Sequence, residues 1–129
     1  MDGGPSHAAR EPLRFRDACR RYGVTKRTLI HYEALGILSP RREGRDRVYD
    51  RRQQVRLELV LRGRRFRLPL ETLRQLLELY DAEGRDAQQR RWREVLAEQA
   101  RTLEAEERHL ARLRSEIGTI LEAEGRIHG

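Results

Sequence analysis

The sequence predicts a mainly α-helical protein: a winged helix-turn-helix head with a short β-hairpin wing, followed by a long coiled-coil dimerisation helix. Three observations lead to this fold class. Two short helical segments flank a glycine turn at Gly23, a basic segment with a glycine follows them, and apolar residues recur at heptad spacing through the last third of the chain. A length of 129 residues suits one small domain with an appendage.

The two halves of the chain differ in charge. Residues 1–67 carry 18 Lys and Arg against 8 Asp and Glu, a net charge of +10, whereas residues 68–129 carry 10 against 13, a net charge of −3. Nearly all the cations are arginine, whose planar fork suits phosphates and guanine edges, although the codons of a GC-rich genome would also explain that choice. The asymmetry itself predicts a polyanion-binding head on a neutral scaffold.

Cysteine content and hydropathy indicate the compartment. Cys19 is the only cysteine, so no disulfide can form within the chain, and we expect this side chain to pack in the core. No apolar run approaches the roughly 20 residues that span a bilayer, and residues 1–12 resemble a disordered tail rather than a signal peptide. The sequence predicts a cytoplasmic protein without membrane association. His109 and His128 lie too far apart to suggest a ligand pair, so we expect no metal site and no cofactor.

Two helices are predicted in the helix-turn-helix, over residues 13–22 and 25–35. Gly23 ends the first at the turn. Thr25 suits the N-cap of the second, and Gly36 closes it. Two short helices joined by a glycine-containing turn are typical of this motif.

A hairpin and two further helices are predicted next. Residues 41–47 place one glycine among charged residues, which suits a solvated hairpin tip, and residues 47–49 would form its return strand. Asp50 and Gln53 predict a capping box for a third helix over residues 51–63. The apolar face of this helix would comprise Val55, Leu57, Leu59, Val60 and Leu61. After a second basic connection, a fourth helix would begin near Pro69. Its inward-facing residues would be Leu70, Leu73, Leu76, Leu77 and Tyr80.

The last element has the clearest periodicity. Asp86 and Gln89 predict a capping box, and apolar residues then alternate at spacings of four and three over about four heptads. This seam comprises Trp92, Leu96, Leu103, Leu110, Leu113, Ile117 and Ile120, interrupted by Gln99 and Glu106. A helix from Gln89 to Glu124 would be ~50 Å long, so its seam needs a partner, most simply a second copy of the chain. The alternative is a helix folded back on its own subunit. We therefore expect a head over residues 13–82 and a dimerisation helix over residues 86–124.

The segment from Gly23 to Leu38 resembles the recognition-helix signature of the MerR family of bacterial transcriptional regulators. The arginine-any-tyrosine wing motif of that family is matched at residues 47–49, and the long terminal helix is similar to its antiparallel dimerisation coil. Within the family, residues 57–81 look most like the leucine and isovalerate utilisation regulators. Ile30 stands where many members have arginine, and Arg67 stands about where the second wing usually has glycine.

Helix-turn-helix proteins place the start of the second helix in the major groove of DNA. The candidate DNA contacts on this helix are Thr25, Lys26, Arg27, Thr28, His31 and Tyr32. Arg27 is the predicted reader of a base edge, and Thr25, Lys26 and Tyr32 would mainly hold phosphates and set the register. For Tyr32 the alternative is a core aromatic under the wing, and for His31 it is packing or solvent exposure. The predicted wing contacts are Arg42, Arg45, Arg47 and Tyr49 in the first wing and Arg62, Arg64 and Arg65 in the second; the alternative for each arginine cluster is a solvated face.

The resemblance implies a homodimer that binds a palindromic promoter site on double-stranded DNA. It would bend and untwist the spacer, so RNA polymerase would be an indirect partner. The subgroup implies an acyl-CoA or branched-chain catabolite as a small-molecule effector. A bound ligand would lie near Tyr80, Trp92 and the coil ends, where we expect two subunits and the fourth helix to converge. No catalytic constellation is present in the sequence, so we expect no enzyme. Two alternatives are an architectural or recombination-accessory winged-helix protein that bends DNA, and a coiled-coil adaptor whose basic head binds acidic proteins.

Overall fold

The computed structural model describes residues 11–128, so most of the predicted N-terminal tail lies outside the described residues. The elements follow in the order β1 (Leu13–Arg14), α1 (Phe15–Tyr22), α2 (Lys26–Ala34), β2 (Arg41–Glu43), β3 (Asp46–Tyr49), α3 (Arg51–Arg65), α4 (Leu70–Glu83) and α5 (Arg85–His128). The mainly helical fold class with a small sheet and a long last helix is confirmed. Within the described range, no helix combines the length and apolar character needed to span a membrane.

The chain divides into two compact units, with the boundary between Gln88 and Gln89. The first unit contains the helix-turn-helix, the sheet and the two helices that follow, and the second contains most of α5. The exact limits expected for the head and for the dimerisation helix stay predictions.

A third strand makes the wing a three-stranded sheet rather than a simple hairpin. The strand order is β1-β3-β2, and both pairs are antiparallel. Leu13 pairs with Tyr49, so the first helix begins at Phe15 and not at Leu13 as predicted. Gly44 adopts a φ of 64° in the tight turn between β2 and β3, a conformation that glycine tolerates best.

The second helix has the predicted cap. The Thr28 amide donates to Thr25 Oγ1 at 3.1 Å, which satisfies one of the free amides at the helix start. Gly36 has a φ of 78° just past the helix end, and the Ile37 amide donates to the Tyr32 carbonyl at 2.9 Å. These local bonds fix where α2 begins and ends.

The capping box predicted for α3 is only half formed. The Gln53 amide donates to Asp50 Oδ1 at 3.0 Å, as expected for the cap. The Gln53 side chain does not complete the box, because its Oε1 accepts from the Ser39 amide at 2.7 Å. This contact ties the end of the helix-turn-helix to α3.

The buried face of α3 differs from the predicted apolar face. Leu57 and Val60 are buried, but Val55 is exposed and Gln54 takes a core position. The Gln54 amide nitrogen donates to the Tyr49 carbonyl at 2.9 Å, so its burial leaves this donor satisfied.

The helices α3 and α4 pack in close contact. A Cβ atom at Gly63 would lie 2.2 Å from Leu73 Cδ2, so only glycine allows this approach without movement. Leu73, Leu76 and Leu77 are buried, as predicted. Tyr80 was expected to point inward but is 44% exposed.

The last helix begins earlier than predicted. It spans 44 residues, about 66 Å at the usual rise. Gly84 turns the chain with a φ of 94°, and the Gln88 amide donates to the Gly84 carbonyl at 3.2 Å. The predicted capping box at Asp86 is therefore wrong, since Asp86 already lies in the first turn of α5.

The predicted seam of α5 is largely uncovered in the single chain. Trp92 and Leu96 are half-buried. The exposed seam residues are Leu103, Leu110, Leu113, Ile117 and Ile120. A row of large apolar side chains open to water is unfavourable unless another surface covers it.

Candidate nucleic-acid interface

The helix α2 presents one side to the core and the other to solvent. Leu29 and Tyr32 anchor the buried side. Lys26, Arg27 and His31 are exposed on the outer side. The free amides and the positive end of the helix dipole lie at the same N-terminus as Lys26 and Arg27, which makes this end suited to anions.

The two threonines at the start of α2 are hydrogen-bonded to each other. Thr25 Oγ1 and Thr28 Oγ1 lie 2.9 Å apart, and Thr25 also caps the helix. Thr25 is exposed and Thr28 is half-buried. Their hydroxyls therefore have fixed positions beside the basic side chains.

Tyr32 is placed in the core rather than on the outer face. Its side chain is 7% exposed, and its ring centroid lies 6.2 Å from that of His31. Burial raises the pKa of the Tyr32 phenol, and the positive charge of Arg64 partly opposes this shift. The position favours the packing role that the sequence had left as the alternative, although DNA contact by Tyr32 stays a prediction.

Tyr49 is also buried, at 1% exposure. Burial raises its pKa to about 12, and the nearby Arg47 charge opposes part of the shift. Among the described residues, its hydroxyl has no hydrogen-bond partner. A contact between this hydroxyl and DNA would require local opening of the head.

The first wing has two exposed arginines and one that is held in place. Arg42 and Arg45 are exposed. Arg47 Nε donates to Glu33 Oε1 at 2.7 Å, and the Arg47 guanidinium carbon lies 5.2 Å from the Phe15 ring centroid. Arg47 is thus engaged with α1 and α2, while Arg42 and Arg45 remain at the surface of the wing.

Arg14 of the strand β1 forms ion pairs with the wing, and the sequence did not predict these contacts. Arg14 Nη1 lies 2.6 Å from Asp46 Oδ2, and Arg14 Nη2 lies 3.5 Å from Glu43 Oε1. The wing carboxylates thus face an arginine from outside the hairpin. A strand of two residues is too short for its alternation to be recognised in a sequence.

The second basic cluster lies at the end of α3. Arg62, Arg64 and Arg65 are all exposed. Arg64 Nη1 donates to the Leu68 carbonyl at 2.8 Å, which leaves part of its guanidinium for other contacts. Arg67 has a φ of 67°, a left-handed conformation that glycine adopts more readily than arginine.

A largely buried arginine, with 14% of its side chain exposed, connects parts of the head and was not anticipated. Arg56 Nε donates to the Ile37 carbonyl at 2.9 Å, and Arg56 Nη1 lies 3.4 Å from Asp81 Oδ2. Arg52 Nη2 lies 2.7 Å from the other oxygen of Asp81. Burial lowers the pKa of Arg56, and the charge of Asp81 partly restores it. The contacts of Arg56 and Arg52 connect the end of the helix-turn-helix with α3 and α4.

The chemistry of this surface suits phosphate binding. The start of α2, the first wing and the end of α3 all belong to the first unit. Cys19 is half-buried on α1. Among the side chains that the structure describes, no group of three or more His, Cys, Asp or Glu could hold a metal ion.

Two family models match the chain. The model described as MerR HTH family regulatory protein matches residues 13–79. The model described as MerR, DNA binding, matches residues 54–120. Each match covers slightly more than half of the chain, and the first contains every residue named above as a predicted DNA contact.

Curated proteins and a solved structure are also similar. The chain is 42% identical over 82 residues to the HTH-type transcriptional regulator SkgA of Caulobacter vibrioides strain NA1000 / CB15N, and the same figures hold for strain ATCC 19089 / CIP 103742 / CB 15. These matches cover 60% of this chain and 31% of the relative, so the chain spans about a third of the length of the curated relatives it matches. The chain is also similar to the crystal structure of HTH-type transcriptional regulator SkgA from Caulobacter crescentus, with 35% sequence identity and a TM-score of 0.49. This match covers 78% of the present chain and 76% of the chain in that crystal structure.

Proposed function

The chain belongs to the MerR family of helix-turn-helix regulatory proteins, and from this premise we propose that it is a dimeric, sequence-specific DNA-binding transcription regulator. It binds a palindromic promoter site and distorts the DNA between the half-sites. The observation that carries the proposal is the exposed basic start of α2, which lies in one compact unit with the exposed arginines of both wings.

Sequence recognition is assigned to the exposed start of α2. Arg27 is long enough to reach a base edge from a helix lying in the major groove, and a bidentate contact with guanine is worth ~1–3 kcal/mol of discrimination. Thr25 and Lys26 hold the phosphates beside it and set the register. His31 is one turn further along, where its exposed ring can approach the backbone.

Affinity comes mainly from the exposed arginines of the wings. Arg42 and Arg45 lie in or beside the hairpin, and Arg62 and Arg65 lie at the end of α3. Each phosphate that an arginine neutralises releases counterions, so binding must weaken steeply as salt rises. This steep salt dependence is what separates the proposal from an adaptor whose basic head binds acidic proteins.

Dimerisation is assigned to the exposed seam of α5. The uncovered leucines and isoleucines repeat at the spacing of a coiled coil, and a second copy of the same helix would cover them. A dimer with twofold symmetry presents two identical heads, which requires an inverted repeat in the DNA.

The proposed DNA distortion is supported by family membership. Bending or untwisting a site of this length costs on the order of several kcal/mol, which many phosphate contacts can supply. RNA polymerase would sense the altered spacer as an indirect partner. An acyl-CoA or branched-chain catabolite as effector stays a prediction from the narrower resemblance, and no catalytic role is proposed.

Selection of bound sites from random double-stranded DNA tests the proposal. We expect enrichment of one inverted repeat, and a log–log salt slope of binding that reflects several phosphate contacts. Footprints dispersed over unrelated sites would instead support an architectural protein. A shallow salt slope would support an adaptor whose head binds acidic proteins.

A further inference from the structure

We infer that Glu33 is a positioning residue that holds the first wing against the recognition helix α2 through Arg47, and that it thereby increases sequence discrimination. The inference rests on the proposed DNA-binding function. It also gives Arg47 a role different from the phosphate contact predicted from the sequence. Arg47 fixes the wing, and the neighbouring exposed arginines make the contacts with DNA.

Arg47 joins three elements of the head. It projects from β3, donates its Nε hydrogen to Glu33 Oε1 on α2 at 2.7 Å, and places its guanidinium 5.2 Å from the centre of the Phe15 ring on α1. The side chains of Arg47 and Glu33 are 23% and 26% exposed, so water screens this pair less than the ion pairs on the open surface. A guanidinium held by a carboxylate and an aromatic face has few free directions.

The carboxylate of Glu33 also resolves a repulsion within the wing. Arg42 and Arg47 are direct cross-strand partners in the β2–β3 pair, and like charges in that relation are destabilising. Glu33 Oε1 takes Arg47, whereas Glu33 Oε2 lies 3.6 Å from Arg42 Nη2. Because Arg42 is about half exposed and its contact is longer, Arg42 can turn to a phosphate while Arg47 stays in place.

A carboxylate on a surface that meets DNA lowers affinity by its charge alone. Glu33 therefore contributes by fixing the position of the wing and not by attracting DNA. Removing its charge should have two opposite effects. Binding to any DNA should gain from the added net positive charge, but binding to the correct site should lose the fixed wing.

The test compares Glu33→Gln with Glu43→Gln in the full-length chain. Both variants remove one carboxylate charge from the first unit, but Glu43 contacts Arg14 and Arg41 and not Arg47. Binding is measured on the inverted repeat selected for the wild type and on a scrambled duplex of equal length. For Glu33→Gln we expect non-specific affinity to rise a few-fold and the ratio of specific to non-specific affinity to fall about tenfold. For Glu43→Gln we expect both affinities to rise together. An unchanged ratio in Glu33→Gln, or an equal loss in both variants, would overturn the inference.

Arg47→Gln gives an independent readout. If Arg47 acts through the wing position, this variant lowers the ratio without changing the non-specific salt slope, and its effect is not additive with that of Glu33→Gln. If Arg47 neutralises a phosphate, the salt slope falls by about one and the two effects add, which would contradict the inference.

Two further points keep the result interpretable. Should Glu33→Gln fail to fold, Arg47→Lys retains the charge but loses the Nε donor, and the same fall in the ratio is expected; wild-type behaviour of Arg47→Lys would overturn the inference. A wild-type protein that shows no preference for any site would refute the proposed function itself. That outcome is distinct, because it is seen before any variant is compared.

Discussion

Tyr49 shows at the scale of one residue how a motif and a position can point to different roles. The wing motif predicts a DNA contact, but the side chain is almost fully buried. Among the described residues, its hydroxyl has no hydrogen-bond partner, so the ring contributes packing while the polar atom costs stability. The sequence could not reveal this, because the elements that cover Tyr49 come from distant parts of the chain.

Tyr49→Phe should leave the protein equally stable or stabilise it by about 1 kcal/mol, because it removes a buried polar atom and keeps the ring. Urea unfolding at pH 8 measures this change. DNA affinity should remain within about twofold of wild type. A large loss of affinity with unchanged stability would show that the hydroxyl reaches DNA.

The same residue predicts an alkaline dependence of stability. Its pKa is about 12 in the folded protein against 10.0 for the ordinary phenol. The protonated phenol therefore makes its full contribution to the free energy of unfolding below pH 10. This contribution is lost as pH rises from 10 towards 12, because the unfolded chain loses the phenol proton first. At pH 12 the wild type should have lost on the order of 2 kcal/mol relative to Tyr49→Phe. Parallel stability curves for the two proteins from pH 8 to 12 would contradict the prediction.

Arg67 gives a second test at a single residue. Its left-handed backbone is costly for a side chain with a Cβ, by roughly 1 kcal/mol, whereas glycine adopts it freely. Arg67→Gly should thus be neutral or stabilising by up to about 1 kcal/mol in urea unfolding. The matched control is Arg62→Gly, at an exposed position inside α3, which should destabilise by about 1 kcal/mol. Equal losses in both variants would refute the argument from backbone strain.

At the scale of elements, the sequence predicts best where the signal is local. Thr25 and Gly36 bound α2 through bonds to neighbouring residues, and the structure confirms both. The strand β1 escaped prediction because its two residues pair with β3, more than 30 positions away. Asp86 and Gln89 have the right spacing for a cap, but Gly84 turns the chain first and the helix starts earlier.

The residues of the candidate site also differ in how well the sequence predicts them. The exposed basic residues of α2 and of both wings could be predicted from charge and order along the chain. The engagement of Arg47 with Glu33 and Phe15 could not, because it depends on how three elements pack. Similarly, nothing in the sequence distinguishes Arg56, whose side chain is only 14% exposed, from the exposed arginines around it.

The contact between α3 and α4 predicts a strong effect at Gly63. Gly63→Ala should destabilise by about 1–3 kcal/mol, since its Cβ would overlap the Leu73 side chain. Thermal or urea unfolding measures the change. Gly125→Ala is the control, because it lies in the helix α5 with open space around it. That variant should be neutral or slightly stabilising, and equal effects at the two glycines would contradict close packing at Gly63.

For the whole molecule, the seam of α5 predicts the oligomeric state. Leu110 is 57% exposed in the single chain, and Leu110→Glu would place a charge in the centre of the proposed coil. We expect a dimer for the wild type at micromolar concentration and a monomer for this variant, measured by sedimentation velocity. Ala111→Glu introduces the same side chain one position off the seam and should remain dimeric. A monomeric wild type would contradict the assignment of the seam.

The most direct measurement compares binding of the purified chain to a duplex with the selected inverted repeat and to one with a single half-site. Two linked heads should favour the repeat by about 100-fold or more, because the second head binds at high effective concentration. Leu110→Glu should lose this preference and Ala111→Glu should keep it. Equal affinity of the wild type for the two duplexes would contradict the proposal of a dimer that reads symmetric DNA.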